Sequence, residues 1–120
     1  MTRLMSHFRD DILIVTIAGT FETNDSNTAL KQYLETVQSD TITKVLLDTR
    51  RLNGRKSIAG TYLLSQDMPK PGSKRMTAIV EKEENRRYAE LYKLIFHSAG
   101  YKGLGVFYDY HQALAWLTDK

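Results

Sequence analysis

Four apolar runs, ILIVTIAG (Ile12 to Gly19), KVLLD (Lys44 to Asp48), MTAIV (Met76 to Val80) and LGVFY (Leu104 to Tyr108), constrain the fold more than any other feature. Each is too short for a typical helix and suits a strand, and KVLLD and MTAIV read as strands buried on two faces. The intervals between them carry helical spacing. Ala29, Leu30, Tyr33, Leu34 and Val37 predict an amphipathic helix from about Ser26 to Gln38, entered through the caps of TNDSNT. SIAGTYLLSQ is long enough only for a short helix with Ser57 as its N-cap, and MPKPG ends it. Tyr88, Leu91, Tyr92, Ile95, Phe96 and Ala99 mark the longest stripe, starting near Glu83 or Glu84 and stopping at Gly100. Asp109 followed three residues later by Gln112 resembles a capping box, opening a last helix with Ala113, Leu114, Trp116 and Leu117.

Strands separated by helices pair in parallel through crossover connections. Leu4 to Phe8, joined to the first run through Asp10 and Asp11, adds one antiparallel hairpin. The expected fold is therefore α/β: a mixed, mostly parallel five-stranded sheet starting with an antiparallel hairpin, with four helices. With 120 residues and 42% hydrophobic content, the chain has material for one core, so residues 1–120 are expected to form a single domain.

Composition narrows the chemistry. There is no cysteine, which removes disulfides, thiolate metal sites and a cysteine nucleophile. His7, His97 and His111 fall on three different elements at no metal-binding spacing. No nucleophile with a paired base can be argued from the order of residues, so catalytic residues, metal and cofactor are all expected to be absent. The net charge of +3 and pI near 9.2 leave both signs interspersed. No aromatic cluster interleaves the cations, which argues against nucleic acid. No apolar run approaches the roughly 20 residues of a membrane span, and a cytoplasmic location is expected.

The stretch LLDTRRLNGRKSIAG, following the second apolar run, gathers the candidate site residues Asp48, Arg50, Arg51, Asn53, Gly54, Arg55, Lys56 and Ser57. It reads as a loop between a strand and a short helix. Asp48 can pair with Arg50 or Arg51 and hold that loop. The cations around Gly54 are either solvated or bind an anion at the helix start, although their spacing is not that of a P-loop. Ser57 is available as a helix cap, as a phosphorylation site, or for partner docking. Asp48 also ends a strand expected to be central, and ligands of open parallel sheets favour such strand ends at a switch in strand order.

The element order, together with IAGTFETNDSNTALKQYL, TKVLLDTRRLNG and the closing VFYDYHQALAWL, resembles the STAS domain of sulfate transporters and bacterial anti-sigma factor antagonists. The likeness is greatest to small, stand-alone, uncharacterised bacterial proteins of this group, through Asp48, Arg50 and Gly54 and the final Ala113, Trp116 and Leu117. In the antagonists, the loop after this strand carries Asp-Ser-Ser-Gly, whose first serine is phosphorylated. A gapless count places that serine at Ser57, with Lys56 at the acid, Ile58 at the second serine and Ala59 at the glycine. The resemblance implies a non-catalytic regulatory module that binds a protein partner through this loop and the short helix after it. A small-ligand domain, for an anion, nucleotide or lipid at the strand ends, is the alternative. The tyrosines of the last third, Tyr88, Tyr92, Tyr101, Tyr108 and Tyr110, either pack in the core or form a homodimer or partner surface.

Overall fold

The protein is represented by a computed structural model, in which residues 2–20, 41–53, 75–98, 100 and 103–118 are described. Within them the order is β1 (Thr2–Arg9), β2 (Ile12–Thr20), β3 (Lys44–Asn53), β4 (Met76–Val80), a 3₁₀ turn (Glu83–Asn85), α1 (Arg86–Ser98), β5 (Leu104–Phe107) and α2 (Tyr110–Thr118). The strands form a sheet in the order β1-β2-β3-β4-β5. β1 and β2 pair antiparallel around a turn in which Asp10 takes a φ of 56°, and all later neighbours are parallel. The mixed sheet and its opening hairpin are as the sequence predicts. Of the four expected helices, the described residues hold two. The helices expected at 26–38 and after Ser57 lie outside them.

Alternation along the strands sorts the core into two layers. On one face Ile12, Ile14, Leu46, Ala78 and Val80 pack with Ala113 and Leu117 of α2, and with the partly buried Met76, Phe107, Tyr110, Leu114 and Trp116. Leu13, Val15, Val45, Leu47, Thr77 and Leu104 alternate with them and are also buried, so both faces of the central strands are covered. Gly105 has a packing reason to lack a side chain: a Cβ there would lie 2.8 Å from the Phe107 ring and 3.3 Å from Trp116. The space lets those two rings meet at 5.4 Å between centroids and fixes where α2 crosses the sheet.

Three features differ from expectation. β3 does not end at Asp48. It continues to Asn53, because Arg51, Leu52 and Asn53 pair with Ala18, Gly19 and Thr20 of β2 after an irregularity between Thr16 and Ala18. Arg50, Arg51 and Asn53 therefore belong to a strand and not to a loop. On α1, Leu91 of the expected core stripe is exposed and its neighbour Ala89 is buried, while Tyr88 and Ile95 of that stripe are half-buried. Two residues of helix turn the chain by about 200°, so the face that buries Ala89 sends Leu91 outward. Finally, the strand order never reverses, which removes the switch point on which a ligand crevice at Asp48 was expected.

Candidate functional site

β3 carries the sheet's interior out to its C-terminal edge. Val45, Leu46, Leu47, Asp48 and Thr49 are buried, and the next two residues, Arg50 and Arg51, are exposed. Asp48 stands opposite Thr16 of β2 and Val80 of β4, where β4 stops. Its carboxylate is 7% exposed and is met almost entirely by the residue two positions on. Arg50 donates from Nε to Oδ1 at 3.0 Å and from Nη2 to Oδ2 at 2.8 Å, and its backbone N–H donates to Oδ1 at 3.0 Å. The fork matches both oxygens of the carboxylate, the stronger form of an Arg–carboxylate pair.

Burial alone would raise the Asp48 pKa. The Arg50 hydrogen bonds and the charges of Arg50 and Arg51 more than offset it, so the carboxyl sits below its ordinary 3.8. The hydrogen bonding to Asp48 in turn raises the Arg50 pKa, although desolvation opposes it, and the nearby Asp109 adds to the rise. Of the two expected partners for Asp48, the structure selects Arg50.

Arg50 also ties the strand to α2. Its guanidinium lies 5.5 Å from the centre of the Tyr110 ring, within cation–π range. Tyr110 follows Asp109, whose Oδ1 accepts from the backbone N–H of His111 at 2.7 Å and of Gln112 at 3.1 Å. The cap expected at Asp109 is present, and it places a carboxylate at the positive end of the helix.

One residue along β3, Thr49 is 1% exposed and serves the next strand. Its hydroxyl is shared between the Val80 carbonyl at 2.9 Å and Glu81 Oε2 at 3.1 Å. Glu81 is 9% exposed, and its Oε1 accepts from the Lys82 N–H at 3.0 Å and from Asn85 Nδ2 at 3.1 Å. This buried carboxyl thus joins the end of β3 to the 3₁₀ turn that leads into α1. Further along the same edge, the Tyr108 hydroxyl donates to Glu90 Oε2 at 2.7 Å beneath the Arg86 guanidinium, 3.9 Å from the ring centre. Burial first, then the Glu90 carboxylate, holds the Tyr108 hydroxyl well above the ordinary phenol range.

Among the predicted residues, Asp48, Arg50 and Arg51 are therefore gathered at the C-terminal end of β3. Asn53 closes the strand opposite Thr20. Gly54, Arg55, Lys56 and Ser57 lie outside the described residues. Sequence reasoning missed Thr49, Glu81 and Asn85, and it named Tyr110 without its contact to Arg50. The available signal for Glu81 was an acid directly after a buried run, with an amide four residues on. The three histidines are not brought together: His97 Nε2 meets the Leu104 carbonyl at 3.2 Å, and His111 lies edge-on to Tyr110. Among the described residues no group of three or more His, Asp or Glu is placed to hold a metal ion, and no helix is long and apolar enough to cross a membrane.

Comparison with solved structures decides the fold. An anti-sigma factor antagonist from Mycobacterium paratuberculosis superposes with a TM-score of 0.76 at 19% identity, covering 99% of this chain and 96% of that one. This chain has the fold of that antagonist. An uncharacterised protein from Shewanella loihica with a SpoIIAA-like fold matches this chain with a TM-score of 0.60 at 16% identity, over 97% of this chain and 93% of its own. No protein-family model matches the chain, and no curated protein matches it. At these identities the STAS likeness rests on backbone arrangement, so side-chain roles have to come from the domain's own geometry.

Proposed function

We propose that this STAS-like domain is a non-catalytic regulatory module that binds a protein partner at the C-terminal end of β3 and through the loop and short helix that follow. One observation carries the reading. Where β3 leaves the core, Arg50 and Arg51 are exposed side by side, and Arg50 is held in a fixed pose by the buried Asp48 and the Tyr110 ring. A cation immobilised before binding loses less conformational entropy in a complex than a free arginine does. The likeness to an anti-sigma factor antagonist supports a regulatory role of this kind in the cytoplasm.

In this reading Asp48, Arg50, Arg51 and Asn53 supply the strand part of the contact surface, and Gly54, Arg55, Lys56 and Ser57 supply the loop. Ser57 is where modification would act. A phosphate there brings about −1.5 to −2 charges to a segment already rich in arginine and lysine. A Ser57→Asp variant is expected to keep the melting temperature of the parent, since the new charge meets cations.

The decisive experiment is affinity capture from a lysate, comparing the parent with a variant carrying alanine at Arg50, Arg51, Arg55 and Lys56. Loss of one specific captured protein is expected, at retained fold. Equal capture by both proteins would overturn the assignment of the surface. Binding of a small anion, nucleotide or lipid by the isolated domain, abolished by the same substitutions, would favour the alternative ligand-binding role.

A further inference from the structure

The opposite end of the sheet order presents a second surface. β1 is an edge strand: it pairs with β2 over its whole length, from Thr2 against Gly19 to Arg9 against Ile12, and no described strand lies beyond it. Alternation puts Arg3, Met5, His7 and Arg9 on one face of this strand, and all four are exposed. None of the three cationic or basic residues has an ion pair among the described residues. Phe8, on the other face, is 62% exposed and Met5 is 47% exposed, so among the described residues two of the four exposed large hydrophobic side chains lie on this single strand.

Charged edges are a common guard against unwanted strand pairing. A guard alone gives no reason for a phenylalanine and a methionine in solvent on the same strand. We propose that β1 is a docking edge for an extended acidic segment of a partner protein, which adds to the sheet as a sixth strand. Backbone hydrogen bonds along the open edge would give affinity, and the cross-strand pairs would give selectivity. An antiparallel segment fits when acids stand opposite Arg9, His7 and Arg3 and apolar residues stand opposite Phe8, Met5 and Leu4.

A second copy of the chain fits less well. Of the two symmetric antiparallel registers that pair seven residues of β1, one sets Arg3 against Arg9, like charges at both ends, and the other sets Arg3 against the basic His7. This surface is separate from the end of β3 and does not depend on the role proposed there.

The test uses the full chain, labelled with ¹⁵N, and the heptapeptide Glu-Val-Glu-Thr-Val-Val-Glu with blocked ends, whose order matches β1 read from Arg9 back to Arg3. The control is the same peptide with lysine at each glutamate. The acidic peptide is expected to shift β1 resonances, to protect β1 amides from exchange, and to bind at least tenfold tighter than the lysine peptide. A variant carrying Arg3→Glu and Arg9→Glu, both at exposed positions, is expected to reverse that preference. Equal binding of the two peptides, no binding at millimolar concentration, or shifts confined to another surface would overturn the proposal. Two other outcomes would overturn it as well: β1 amides protected without peptide in a concentration-dependent dimer, or capture by anionic vesicles that leaves the β1 amides unprotected.

Discussion

Asp48, on β3, and Glu81, the residue directly after β4, are buried carboxyls at the same end of the sheet, and they are satisfied in opposite ways. Asp48 is forked by a guanidinium that is itself 43% exposed, so the pair sits at the boundary between core and solvent. Glu81 is held by a threonine hydroxyl, a backbone N–H and an asparagine amide, all of them neutral. Their contacts create the difference, since Arg50 bridges Asp48 to Tyr110 of α2 while Thr49 reaches to Val80 and Glu81. The consequence is a division of labour. The neutral cluster fastens β3 to the entry of α1 inside the fold, and the charged pair presents a cation to the outside.

The largest effect is expected where the interior fastening is cut. Glu81→Ala removes the carboxylate acceptor of the Asn85 amide and the Lys82 N–H, while the Thr49 hydroxyl keeps the Val80 carbonyl. Stranded buried polar groups cost about 1–3 kcal/mol each before rehydration, so a loss near 3 kcal/mol is expected in urea denaturation. Glu81→Gln, which keeps one acceptor oxygen, should recover more than half of it. A loss below about 1 kcal/mol for the alanine variant would show that the cluster is not a structural fastening.

The charged pair should respond asymmetrically. Arg50→Ala leaves a buried carboxylate with only a backbone N–H, whereas Asp48→Ala leaves a guanidinium that water can reach. The arginine deletion is therefore expected to cost about 2 kcal/mol and the aspartate deletion about 1 kcal/mol, with the double variant near the latter. Because the Asp48 pKa is lowered on folding, its ionised form stabilises the protein fully above the unfolded value of 3.8. That contribution is lost as the pH falls through the folded value, and it should be smaller in Arg50→Ala. Urea midpoints measured from about pH 5 to about pH 2 would show the two proteins converging. A constant difference over that range would mean that Arg50 acts through packing on Tyr110.

The sheet was legible because ILIVTIAG, KVLLD and MTAIV leave their burial in the sequence as unbroken apolar runs. The end of β3 was not, because Arg51 to Asn53 join the strand through backbone pairing to Ala18, Gly19 and Thr20, and a mostly polar segment leaves no periodic trace of that. The Asp48 pair was half legible: two arginines were in reach, and the choice of Arg50 is made where the β2–β3 register shifts between Asp48 and Arg51, which the sequence does not mark. Thr49 and Glu81 meet across 32 positions, a contact that single-sequence periodicity does not encode. The resemblance to STAS domains supplied the fold, but it pointed to the loop and not to this buried link.

The smallest effect on stability is expected at Arg51, and it separates the two kinds of role most cleanly. Its side chain is exposed and makes no hydrogen bond or ion pair among the described residues, acting on Asp48 only through its charge. Arg51→Ala should shift stability by no more than about 0.5 kcal/mol. If the end of β3 is a partner surface, the same substitution should still weaken capture, because an interface uses exposed cations that the fold does not need. Arg50→Ala would then weaken capture further, since it removes a cation already held in position. Capture that follows stability across Arg51→Ala, Asp48→Ala and Arg50→Ala would instead mean that the surface is read through the integrity of the fold. Loss with Arg51→Ala at unchanged stability is the result that assigns the strand end to binding.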